Sequence, residues 1–164
     1  MTRSMRAIAL LALLGGLALP SGLRAADAPS GTCPARGKVR DTATPIERVT
    51  VTGIMHDGGE RRGSRLDGAA TADLRILVAW RHLDRPHTAR IALIAPDGNL
   101  YQTFTSLVTP PGRGFRRTTS ETRVPIAGSW ITTHGLYGRW CVEVHVDDDP
   151  EAAARQSFVL TPPR

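Results

Sequence analysis

Gly138-Arg139-Trp140-Cys141-Val142-Glu143-Val144-His145-Val146 is the stretch that decides the fold. Trp140, Val142, Val144 and Val146 share one register, and Cys141, Glu143 and His145 share the other. Successive side chains of a strand point to opposite faces, so the run predicts a half-buried β-strand with a dry valine face and a wet face carrying His145 as a solvated side chain. Asp147-Asp148-Asp149-Pro150 ends this strand, and Phe158-Val159-Leu160 supplies the next one before Pro162 and Pro163 stop it. Between the two strands Asp149 is placed to cap, and Pro150 to open, a single helical turn through Ala154.

Upstream, the same period recurs. Leu74, Ile76, Val78 and Trp80 alternate with Arg75, Leu77, Ala79 and Arg81, which predicts a strong strand whose first set, anchored by Trp80, faces the core. Val49, Val51 and Gly53 against Arg48, Thr50 and Thr52 read likewise from Ile46 onward. A polar turn at Asp84-Arg85-Pro86 leads to a strand over Thr88 to Ile94. Ala95-Pro96-Asp97-Gly98 has Pro and Gly where a tight turn wants them, and the chain returns through Leu100 to Val108. A Pro/Gly/Arg-rich excursion from Thr109 to Arg117 precedes a short strand around Arg123 to Ile126. His56 to Thr71 holds Gly58, Gly59, Gly63 and Gly68 with Leu66 as its one large apolar residue, and reads as a long mobile loop. With no convincing amphipathic helix elsewhere, the expected fold is all-β, about seven short strands in two packed antiparallel sheets.

Gly138-Arg139-Trp140-Cys141-Val142-Glu143-Val144 and the later Phe158-Val159-Leu160 resemble the last hairpin of bacterial immunoglobulin-like β-sandwich modules, where a Gly-x-Trp-x-Val-x-Val strand, an acidic turn and a Phe-x-Leu strand follow one another. The earlier strand-turn-strand with Pro96-Asp97-Gly98 and Tyr101 is similar to those modules too, so the resemblance runs from Thr71 to Pro162. It implies an immunoglobulin-like antiparallel sandwich and, by analogy, a binding or scaffolding task; fold does not fix function. The chain departs from antibody-type domains in its cysteines, because Cys33 lies ahead of the first strand and Cys141 lies off the valine register.

The N-terminus sets the compartment. Arg3 and Arg6 precede the apolar run Ala7 to Leu19, and Ala25-Ala26-Asp27-Ala28 follows. The run is shorter than the roughly 20 residues a membrane-spanning helix needs, so residues 1–25 read as a secretory signal peptide, removed on export to the periplasm or the medium, with no transmembrane segment in the mature chain. Residues 26–45 carry Pro29, Gly31, Pro34, Gly37 and Pro45 and predict an extended arm; 46–164 form the sandwich domain. Loss of Arg3, Arg6 and Arg24 lowers the formal charge from +6 to +3, 18 basic against 15 acidic residues, which gives no support to a nucleic-acid partner. Lys38 is the only lysine beside 20 arginines, and no partner follows from that bias. In an oxidising compartment Cys33 and Cys141 are expected to close one bridge, tying the arm to the penultimate strand.

No enzyme is expected. Gly-x-Ser-x-Gly is absent, since Ala127 precedes Gly128-Ser129-Trp130 and Ile131 follows it, which leaves a hydrolase as the third choice. Gly31 to Gly37 encloses five residues, and Val39 follows Lys38 where a phosphate loop needs Ser or Thr, so no nucleotide cofactor is implied. Arg113-Gly114-Phe115-Arg116-Arg117 sets three guanidinium groups around one aromatic, a grip for an anionic polymer, a lipid headgroup or an acidic protein patch, or else a solvated, flexible loop. Trp130 and Tyr137, near Gly128, Gly135 and Gly138, line a binding edge or act as core lids. The leading expectation is an exported non-enzymatic module that binds another cell-envelope protein or anionic polymer through Arg113, Phe115, Arg116, Arg117, Trp130 and Tyr137. The alternative is a copper or zinc site: His82 and His87 flank one turn, and end loops of a sandwich cluster, so His134 is a third ligand candidate. Asp147, Asp148 and Asp149 read as a calcium-type oxygen cluster or a plain acidic turn.

Overall fold

Alternation becomes pairing in the computed structural model, which describes residues 33, 38–39, 44–112 and 116–163. Residues 1–25, read above as a signal peptide, and most of residues 26–45, read as an arm, lie outside the described residues. Among the described residues ten strands run in chain order: β1 Lys38–Val39, β2 Ile46–Met55, β3 Glu60–Arg62, β4 Arg65–Asp67, β5 Thr71–Arg81, β6 His87–Ile94, β7 Leu100–Val108, β8 Arg117–Pro125, β9 Gly138–Val146 and β10 Ala154–Thr161. They form an all-β sandwich. One sheet has the order β1-β10-β9-β6-β7, with β4 joining β10 in parallel, and the facing sheet has the order β3-β2-β5-β8.

The core lies where the dry registers predicted it. Leu74, Ile76, Val78 and Trp80 from β5 are completely buried and face Trp140, Val142 and Val144 from β9, joined by Phe158 and Leu160 from β10. Burying aromatic rings removes large apolar areas from water, and their polar edges still need partners. Trp80 Nε1 donates to Ser120 Oγ at 2.9 Å and Trp140 Nε1 to the Leu136 carbonyl at 3.0 Å, so neither indole leaves an orphaned donor. Tyr101 meets the Trp140 ring edge-on with centroids 5.3 Å apart. The Ala95–Gly98 turn closes as its sequence requires: Gly98 takes φ +85°, a left-handed conformation free of strain only for glycine, and its N–H donates to the Ala95 carbonyl.

Four expectations need correction. The segment 56–71 is not a loop throughout: β3 pairs with β2, and β4 crosses to the other sheet, where it runs parallel to the end of β10. Leu66 causes this, since it is fully buried and pins the glycine-rich segment against the core. The alternate face of β9 is not wet: Cys141, Glu143 and His145 are 6%, 3% and 5% exposed. Glu143 Oε1 accepts from Arg155 Nε at 2.7 Å, Cys141 bonds to Cys33 with Cα atoms 5.7 Å apart, and Ala92 and Ile94 complete a second apolar cluster there. No helical turn forms at 149–154; instead Asp149 Oδ1 accepts from the Glu151 N–H, a local side-chain turn that competes with helix. The helical turn lies at Trp130–Thr133 (α1), capped by Ser129, whose side chain accepts from the Ile131 N–H. The strand expected around Arg123 also begins earlier, because Thr118, Ser120 and Thr122 pair with Trp80, Val78 and Ile76 along a polar edge the period does not mark. No helix among the described residues is long and apolar enough to cross a membrane.

Candidate functional site

The strands run from pole to pole, so each loop belongs to one end of the sandwich. The 82–86 loop, residues 109–112 with Arg116, and the 147–153 turn share the first pole, and the 95–99 turn, the 126–137 connection and the end of β10 share the second. The six candidate binding residues are therefore divided: Arg116 and Arg117 lie at the first pole, Trp130 and Tyr137 at the second. Arg113 and Phe115 lie outside the described residues. Arg117 Nε bonds to Glu47 Oε2 at 2.9 Å, and the Arg116 carbonyl accepts from the His82 N–H, which sits at φ +49°.

The histidines are divided in the same way. His82 and His87 share the first pole, whereas His134 follows α1 at the second. Nine-residue β9 spans about 27 Å between them at the rise of an antiparallel strand. They do not form one site. His87 Nδ1 lies 3.0 Å from Asp147 Oδ2, and exposed His134 stacks on Trp130 with ring centroids 3.4 Å apart. Among the described residues no group of three or more His, Cys, Asp or Glu side chains is placed to hold a metal ion. Asp147 is committed to structure, accepting from the Thr88 N–H at 3.0 Å and from Arg85 Nη2 at 3.1 Å. The Thr88 N–H, His87 and Arg85 hold its carboxyl below the usual range.

The second pole holds a groove that the sequence did not announce. It encloses about 610 Å³ between the β3–β4 segment and the end of β10, lined by Arg61, Arg65, Leu66, Asp67, Thr161, Pro162 and Pro163. Hydrogen bonds tie its β4 side to β10. Gly68 N–H donates to the Thr161 carbonyl at 2.9 Å, Thr161 Oγ1 to the Leu66 carbonyl at 3.2 Å, and the Val159 N–H to the Ser64 carbonyl at 2.7 Å. Asp67 Oδ1 accepts from the Ala69 N–H and thereby holds the turn into β5. Tyr137 packs behind this turn as a half-buried lid on the core. Arg61 and Arg65 are exposed and have no carboxylate partner among the described residues, so two cationic groups border the trough alongside Asp67. The only hint in the sequence was one leucine alone among glycines and arginines, which marks a docked point with its charged neighbours held around it. Trp130, 61% exposed on α1, and Leu100, 53% exposed at the start of β7, are exposed large apolar residues at this pole.

No family model and no curated protein matches the chain. Among solved structures, the C-terminal domain of wzt is similar at 12% identity with a TM-score of 0.43, over 81% of this chain and 77% of that one.

Proposed function

We propose that this chain is an exported, non-enzymatic β-sandwich module that binds an anionic polymer of the cell envelope in the groove between β3–β4 and the end of β10. The observation that carries the reading is that two guanidinium groups with no carboxylate partner among the described residues, Arg61 and Arg65, line one hydrogen-bonded trough. Guanidinium suits this task because its planar fork of donors matches carboxylate and phosphate oxygens and stays charged at every physiological pH. Export follows from the leader-like residues 1–25, and intact mass of the exported protein should place its N-terminus at or near Ala26.

Titration with polygalacturonate, a linear polycarboxylate, tests the site, with neutral dextran as the control. Binding should weaken as salt rises through the range where screening acts over about 8 to 10 Å. Arg61→Ser with Arg65→Ser should abolish it without lowering the melting temperature. If that pair leaves affinity unchanged while replacement of Arg113, Arg116 and Arg117 by Ser removes it, the site lies at the first pole and the groove assignment is wrong.

A further inference from the structure

A sheet edge with free N–H and C=O groups is a template for another strand, and folded proteins shield such edges with charge, proline or brevity. Three edges of this sandwich are shielded. β8 carries Arg117, Glu121 and Arg123 and ends in Pro125, β3 is the three charged residues Glu60, Arg61 and Arg62, and β1 and β4 are two and three residues long. β7 is different. Leu100-Tyr101-Gln102-Thr103-Phe104-Thr105-Ser106-Leu107-Val108 runs nine residues with no charge, proline or glycine, and no described strand pairs with its outer side. Leu100 and Leu107 near its two ends are 53% and 68% exposed.

The order of residues in β7 says what occupies this edge. Read outward from Phe104, it is a palindrome of polarity: Thr103 mirrors Thr105, Gln102 mirrors Ser106, Tyr101 mirrors Leu107 and Leu100 mirrors Val108. Two copies related by a two-fold axis at Phe104 pair antiparallel with Gln102 to Ser106 each opposite its mirror position, so like meets like over that stretch, and beyond it the irregularity at Tyr101 shifts the pairing by one residue. The register with β6 makes the faces agree. Gln102, Phe104 and Ser106 stand opposite core residues Leu93, Ile91 and Ala89, while Thr103 and Thr105 stand opposite Ala92 and Arg90 on the outer face. The register shift between Leu93 and Ile94 then puts Leu100 opposite Ile94, on the same outer face as Leu107. Leu107 of one copy comes beside Leu100 of the other, and both exposed leucines lose water contact. We infer that β7 is a self-association edge through which two copies of this chain join their larger sheets into one continuous antiparallel sheet. The interface is isologous, so it closes at two copies and builds no filament. The groove lies at the β3–β4 edge on the other side of the sandwich, so the dimer presents two of them.

Sedimentation velocity of the mature chain over 1 to 100 µM, about the range in which weak specific dimers form, should show a monomer–dimer equilibrium. Thr105→Lys sets a charge against Thr103 of the partner twice over and should raise the dissociation constant about tenfold or more. Leu107→Lys should do the same by a second route. Thr103→Glu combined with Thr105→Lys restores the dimer, because only this register places position 103 of each copy opposite position 105 of the other and so sets the new carboxylate against the new ammonium. Thermal melting of every variant separates lost pairing from lost folding. A chain that stays monomeric at the highest concentration, forms larger assemblies, ignores both lysines, or is not rescued by the double substitution overturns the inference.

Discussion

Replacing Gly68 with Ala tests the groove and its frame together. Gly68 is buried in the turn between β4 and β5, and a Cβ built there would lie 2.7 Å from Tyr137 Cε1 and 2.8 Å from the Thr161 carbonyl oxygen. Both are far inside contact distance, and the second is backbone that cannot rotate away. The Thr161 carbonyl also accepts the Gly68 N–H, so a shift that relieves the clash lengthens this bond and pulls β10 from β4. Inserting one methyl into a packed site costs about 1 to 3 kcal/mol, and a strained hydrogen bond places Gly68→Ala in the upper half of that range. Gly112→Ala is the matched control, since no atom lies within 4 Å of its Cβ position, and there the substitution should be neutral or stabilise by about 0.4 to 1 kcal/mol through the unfolded chain. Urea unfolding of both variants reads the difference, and titration with polygalacturonate reads whether the loosened trough binds less well. Equal stability of the two variants, or a loss below about 0.5 kcal/mol for Gly68→Ala, would refute the steric reasoning.

Three further outcomes follow from the core, the bridge and the buried ion pair. Trp80→Ala or Trp140→Ala, at fully buried rings, should cost about 3 to 5 kcal/mol by cavity formation, whereas Trp130→Ala at an exposed ring should stay within about 0.5 kcal/mol; differential scanning calorimetry checks the order. Replacing Cys33 and Cys141 by Ser opens a crosslink of sequence separation 108 and should cost about 5 kcal/mol on the chain-entropy account, measured against the bridged protein in urea. Glu143 is held below the usual carboxylate range by His145 and Arg155, against the opposing pull of burial, so its contribution is full above the ordinary glutamate value of 4.5 and is lost as pH falls through its lower folded-state value. Glu143→Gln should flatten this acid limb of the stability curve and lower stability at pH 7, where Arg155 loses its anion; an unchanged limb would count against the pairing.

What could be read in the chain, and what could not, separates along one physical line. Strands β5 and β9 were legible because each dry register answers to a core every sandwich must have, and Leu74 to Trp80 and Trp140 to Val144 satisfy it locally. The other face of β9 was misread because its burial depends on distant partners: Arg155 for Glu143 and Cys33 for Cys141 stand 12 and 108 residues away. The paired cysteines did hold a signal, since a bridge on that register requires the arm to lie over it. Leu66 is similar, one apolar residue whose docking turns a glycine-rich stretch into two strands and a groove. The poles, by contrast, could have been counted. In an antiparallel sandwich each strand carries the chain across once, so an odd number of intervening strands puts two loops at opposite ends. β6, β7 and β8 lie between His87 and His134, and β8 alone lies between Arg116 and Trp130. Parity therefore forbids both the histidine triad and the combined arginine–aromatic site, whatever chemistry their side chains offer. The same count puts the β4–β5 turn with Tyr137, since β5, β6, β7 and β8 intervene, and their contact at Gly68 follows from it. Strand parity is thus a stronger filter on candidate sites than residue type, and it needs no coordinates.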